Sequence, residues 1–190
     1  MSSIKKIVIT AMLIAVGIAL PVVFHMIPVG MGGRVILPMH IPVFLAGLIV
    51  GPFYGFFAGL VTPLLSSMTT GMPAAGIAVY RMMVELSAYG AVAGVVMHFL
   101  RTKRLVLDLY ISLIAAMFLG RIAAGIAAAA LLFGTGTFTW AIWITGYFAT
   151  SLPGIALQLI IIPAIVITLE RGGFIPKRYN KVTKRSVADG

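Results

Sequence analysis

Three ionisable side chains interrupt long apolar runs in the middle of this chain: Arg81, Glu85 and Arg121. An isolated charge at the centre of a lipid-embedded helix costs roughly 2.5 to 3.5 kcal/mol, so such groups must pair, stay hydrated or face a polar cavity. Arg81 and Glu85 are four residues apart and share one helical face, which Tyr89 continues one turn further on. Counted from the ends remote from the basic flanks, Glu85 lies eleven residues below Ala74 and Arg121 twelve below Phe133. This matching depth makes a Glu85–Arg121 ion pair feasible. Two readings stay open. The charges neutralise one another and fix helix register, or two cations against one anion leave a positive excess in an outward-opening polar cavity near the hydroxyl-rich Ser66–Pro73 segment. Trp143 and Tyr147, four apart, suit an aromatic wall of such a cavity; with Trp140 they also suit an interfacial aromatic belt.

Other chemistry is missing. There is no phosphate loop of the G-x-x-x-x-G-K-[ST] type, and four acidic residues in all provide no carboxylate pair inside the apolar segments. Ser66, Ser67 and Ser151 have no neighbouring base. His25 and His40 bracket Arg34 without an acidic companion or ligand-like spacing, and cysteine is absent, so neither a metal site nor a disulfide is expected. The sequence therefore points to binding without catalysis, cofactor or an energy source of its own.

The elements that hold these residues are membrane helices. The chain is 61% hydrophobic and 9% charged, with a mean hydropathy of +1.13, which a solvated surface of this size could not carry. Eleven of the fourteen Lys and Arg fall in three clusters: Lys5 and Lys6, Arg101 to Arg104, and Arg171 to Arg185. Under the positive-inside rule these are cytoplasmic flanks, so both termini and the central turn face the cytoplasm, with an even number of crossings on either side of the turn. The net charge of +10 accordingly suits anionic lipid rather than nucleic acid.

With about 20 residues per crossing, the expected architecture is an all-α integral membrane bundle of six transmembrane helices. The whole chain, 1–190, forms one domain: a bundle over about 7–170 and a basic cytoplasmic tail over 171–190. The expected crossings are Ile7–Phe24, Ile36–Val50, Phe53–Leu65, Ala74–Leu100, Leu105–Phe133 and Trp140–Leu169. Gly51-Pro52 makes a tight turn between the second and third.

Two seams of small residues repeat every fourth position: Gly47, Gly51, Gly55 and Gly59, and Ala11, Ala15 and Ala19. Small residues allow close helix approach in lipid. The glycine row reads as internal packing, whereas the alanine row reads equally as internal packing or as a ridge for another subunit.

Several of these residues carry a resemblance. The A-x-x-x-A of Ala11 and Ala15, the stretch LPMHIPVFLAGLIVGPFYGFFAGLVTPLLSS from Leu37 to Ser67, TGMP from Thr70 to Pro73 and ELSAYG from Glu85 to Gly90 resemble the substrate-binding S components of energy-coupling factor (ECF) vitamin transporters. The resemblance implies a non-catalytic, multi-pass protein of a prokaryotic plasma membrane that captures a water-soluble vitamin at its outer face. It further implies delivery through a transmembrane coupling subunit driven by two cytoplasmic ATPases, with Ala11, Ala15 and Ala19 contacting the coupling subunit. By region, the vitamin would meet Arg34, His40, Met72, Arg81, Glu85, Tyr89, Arg121, Trp143 and Tyr147. A surplus cation beside aromatic rings favours a pyridine or pyrimidine bearing hydroxymethyl groups, as in vitamin B6 or the thiamin pyrimidine, and pantothenate after these. The rival reading is a stand-alone secondary transporter of a small polar solute with Glu85 as proton carrier.

Overall fold

A computed structural model describes residues 1–26, 37–132, 139–145 and 151–179. Among them the regular structure is helical throughout. Helix α1 spans Ser3–Met26. Helix α2, His40–Leu45, continues through a π-helical turn at Ala46–Val50. Then come α3, Pro52–Thr70, α4, Ile77–Phe99, and α5, Leu105–Leu131. A short α6, Trp140–Ile144, precedes α7, Leu152–Arg171. Four of these, α1, α4, α5 and α7, are long and apolar enough to cross a membrane.

Local chemistry sets the boundaries. Gly51 at φ 128° breaks the chain between the π turn and α3, and Pro52 opens α3 where its missing N–H is harmless. The expected third crossing ended at Leu65 with a loop from Ser66 to Pro73; instead α3 runs on to Thr70. Its hydroxyls turn back on their own helix: Thr69 Oγ1 donates to Leu65 O at 2.8 Å and Thr70 Oγ1 to Ser66 O at 2.7 Å. Such bonds let polar residues continue a helix without solvent. Gly71, at φ 72°, caps it by donating its N–H to Ser67 O.

The expected sixth crossing also changes. Helix α7 starts at Leu152 rather than Trp140, because Pro153 belongs to a first turn and Ser151 occupies the N-cap. Trp140–Ile144 is helical as well.

Glycines dictate the packing of the central helices. A Cβ on Gly55 would collide with the Gly90 carbonyl, one on Gly90 with Gly55, and one on Gly59 with the Leu86 backbone. The α3–α4 contact is thus backbone on backbone, with Gly47 of the π turn meeting Gly90 as well. Helix α5 packs on α4 as well. The core between them is aliphatic and aromatic: Phe44, Tyr89, Leu109, Leu113 and Ile162. Helix α1 is peripheral. Gly17 lets it approach Thr62 and Pro42, while Ala11, Ala15 and Ala19 remain exposed.

Candidate functional site

The cluster is built around Tyr89, which is 1% exposed and lies on α4. Its ring stacks on Phe44 of α2 with centroids 5.1 Å apart and an interplanar angle of 21°. Gly120 of α5 has no side chain to obstruct it; a Cβ there would run into the Tyr89 ring. Two packed walls therefore leave the ring little freedom, and its hydroxyl donates to Glu85 Oε1 at 2.8 Å. Because Glu85 stands one turn away on the same helix, the pair shares a face.

His40 comes from the first residue of α2. It is 2% exposed, its ring centroid is 5.4 Å from that of Tyr89, and Nε2 lies 3.8 Å from Glu85 Oε1. That approach is an ion pair when the imidazole is protonated. Among the described residues neither His40 nitrogen has a hydrogen-bond partner, although burying a polar group without one is unfavourable.

Arg121 enters from α5, 3% exposed. Its guanidinium carbon stands 5.9 Å from the Tyr89 ring centroid. It donates to Met117 O at 3.3 Å and to Ser151 Oγ at 3.4 Å. The depth count thus brings Glu85 and Arg121 to the same cluster, but the expected direct ion pair gives way to a different arrangement. The Tyr89 ring bridges them, bonding the carboxylate at its edge and offering its face to the cation. Glu85 instead lies 3.8 Å from His40 Nε2.

The remaining sequence candidates divide. Arg81 is half-buried one turn from Glu85. Trp143 lies against Gly125, one turn beyond Arg121 on α5, and Trp140 meets it edge to face at 5.7 Å. Met72 is 46% exposed; its carbonyl accepts from Ser66 Oγ at 2.6 Å, tying its loop to α3. Arg34 and Tyr147 fall outside the described residues.

Sequence reasoning missed two polar contributors. Ser151 at the N-cap of α7 receives the Arg121 bond. Gln158, 1% exposed, donates to Leu37 O at 3.3 Å and fastens α7 to the entry of α2. As the chain's only glutamine, set within an apolar run, Gln158 carried a readable signal.

These elements converge on His40, Glu85, Tyr89 and Arg121: donors, one anion and aromatic faces, all withdrawn from solvent. Among the described residues no three metal-ligating side chains come together.

The family description "ECF transporter, substrate-specific component" matches residues 5–166. The chain belongs to that family. It is therefore a non-catalytic, solute-binding membrane subunit of an ECF transporter, and the ATP-driven part of transport resides in partners. Comparison with curated proteins gave no significant match.

Proposed function

We propose that this S component captures a small water-soluble vitamin or vitamin precursor at its outer face and holds it at the His40–Glu85–Tyr89–Arg121 cluster. The observation that carries the reading is His40: almost fully buried, beside a carboxylate, with both ring nitrogens unbonded among the described residues. A ligand hydroxyl or ring nitrogen would satisfy it. Phe44 and Tyr89 add aromatic surface, while Arg121 and Glu85 add a donor and an acceptor. This combination suits a flat heterocycle with hydroxymethyl groups, vitamin B6 or the thiamin pyrimidine, better than the flexible carboxylate pantothenate. In this reading Arg81 and Trp143 flank the site, with Arg34, Met72 and Tyr147 contributed by neighbouring segments.

Delivery then uses a transmembrane coupling subunit and two cytoplasmic ATPases, in a prokaryotic plasma membrane. The bundle crosses six times with both termini cytoplasmic. Ala11, Ala15 and Ala19 form the docking ridge, supported by their shared exposure and by the advantage of small residues at close helix contacts.

The test is mass spectrometry of small molecules released from the detergent-purified chain, followed by calorimetric titration with pyridoxine, the thiamin pyrimidine and pantothenate. A released heterocycle bound tightly in titration is expected. Absence of any released solute together with no heat from all three compounds would refute the vitamin reading.

A further inference from the structure

The end of the bundle remote from His40 contains a cavity of about 470 Å³, within the roughly 300 to 1,000 Å³ range of small-ligand sites. Its apolar floor is contributed by side chains such as the buried Val50, Met97 and Val166. Its rim is basic: Lys6 from α1, Arg101 from the α4–α5 turn and Lys177 from the tail. These cations come from the three separate basic clusters of the sequence. Lys5, Lys103, Arg104 and Arg171 do not line the cavity, so the convergence is selective rather than a general coating of this end.

The tail segment is held in place. Arg178 Nε donates to Asp108 Oδ2 at 3.0 Å, its guanidinium also reaches Met97 O and Leu100 O, and Tyr179 OH bonds Asp108. Asp108 is fully buried and receives Thr102 Oγ1 at 2.6 Å and Thr102 N at 3.1 Å. Asp108 thus balances Arg178. Glu170 Oε1, also on the rim, accepts the Arg178 backbone N–H at 2.8 Å. Lys6, Arg101 and Lys177 remain as three cations against one carboxylate.

We infer that this cavity binds one anionic phospholipid, its phosphate held by Lys6, Arg101 and Lys177 and its acyl region lying on the apolar floor. A basic recess between helix ends at the membrane surface is where such headgroups are recognised, and the apolar floor matches a lipid better than a freely soluble anion. The assignment is independent of which solute binds at His40.

The test uses the full chain in detergent, titrated with phosphatidylglycerol or phosphatidylcholine and read by native mass spectrometry. The unmodified protein should retain one phosphatidylglycerol in preference to phosphatidylcholine. A Lys6→Gln/Arg101→Gln/Lys177→Gln variant should bind it on the order of a hundredfold more weakly, from the contribution of each cation near an anionic surface. The charge-conserving Lys6→Arg/Arg101→Lys/Lys177→Arg variant should keep the adduct. Should the triple Gln variant lose its helical circular dichroism, the single exposed substitution Lys177→Gln serves instead, with about a fivefold loss expected. Equal retention of the two lipids, or unchanged affinity in the Gln variant, would overturn the site. Displacement of the lipid by millimolar inorganic phosphate would overturn the choice of lipid over a soluble anion.

Discussion

Tyr89 makes one prediction possible that neither Glu85 nor Arg121 would give alone. Tyr89→Phe keeps the ring between Phe44 and Gly120 and deletes the hydroxyl that donates to Glu85. A hydrogen bond to a charged acceptor contributes about 1.5 to 3 kcal/mol, so chemical denaturation should register a loss of that size, with weaker solute binding. Glu85→Gln separates two arrangements. Had Glu85 been the direct partner of Arg121, its removal would strand a buried guanidinium at roughly 3 to 5 kcal/mol. With no direct contact to Arg121 and an amide oxygen still available to Tyr89, the expected loss is below about 1.5 kcal/mol. Solute affinity in calorimetry should fall further than stability does. The charged members of the cluster were legible because charge is conspicuous within apolar runs. Which residue stands between them was not: depth counting gives height along a helix but not rotation about it, and rotation inserts the Tyr89 ring between Glu85 and Arg121.

The two small-residue seams look alike in sequence and behave oppositely as helices. The glycine row is consumed internally, Gly55 against Gly90 and Gly59 against Leu86, as its interruption at Gly51-Pro52 suggested. Gly90→Ala gains about 1 kcal/mol of helix propensity but drives a methyl into the Gly55 backbone, which cannot rotate away. Overpacking of about 1 to 3 kcal/mol should prevail, read as a lowered melting temperature. Only 17% of the α1 span is buried, against 50% for α5, and its alanines lie on the uncovered side. Ala15→Trp should therefore leave melting temperature and solute binding intact while abolishing uptake by the assembled transporter in proteoliposomes; loss of solute binding would return the ridge to internal packing. The ends of α3 and α7 were less legible than the seams. A hydroxyl cluster reads as a loop until its back-bonds are seen, and a proline inside an apolar run leaves undecided whether it kinks a helix or starts one.

At the scale of the molecule, charge distribution was the more durable signal and hydropathy the weaker. Lys6, Arg101 and Lys177, distant in sequence, line one cavity, so the N-terminus, the central turn and the tail do share an end of the bundle. Crossing number was harder to read, since α2 with its π turn is short and α3 is rich in glycine and hydroxyls; the α3 glycines pack on α4, and its hydroxyls bond back onto their own helix. Which side of the membrane the shared end faces can be tested directly, because the chain has no cysteine and every introduced thiol reports alone. Energetically, translocating a cluster of lysines and arginines is disfavoured, so the basic end should remain cytoplasmic. Arg101→Cys and Lys177→Cys should react with a membrane-impermeant maleimide only after the cells are opened. Met72→Cys, exposed on the loop between α3 and α4, should react in intact cells. If Arg101→Cys were labelled from outside, the orientation would invert, and the His40 cluster would open toward the cytoplasm, where it could not capture an external vitamin.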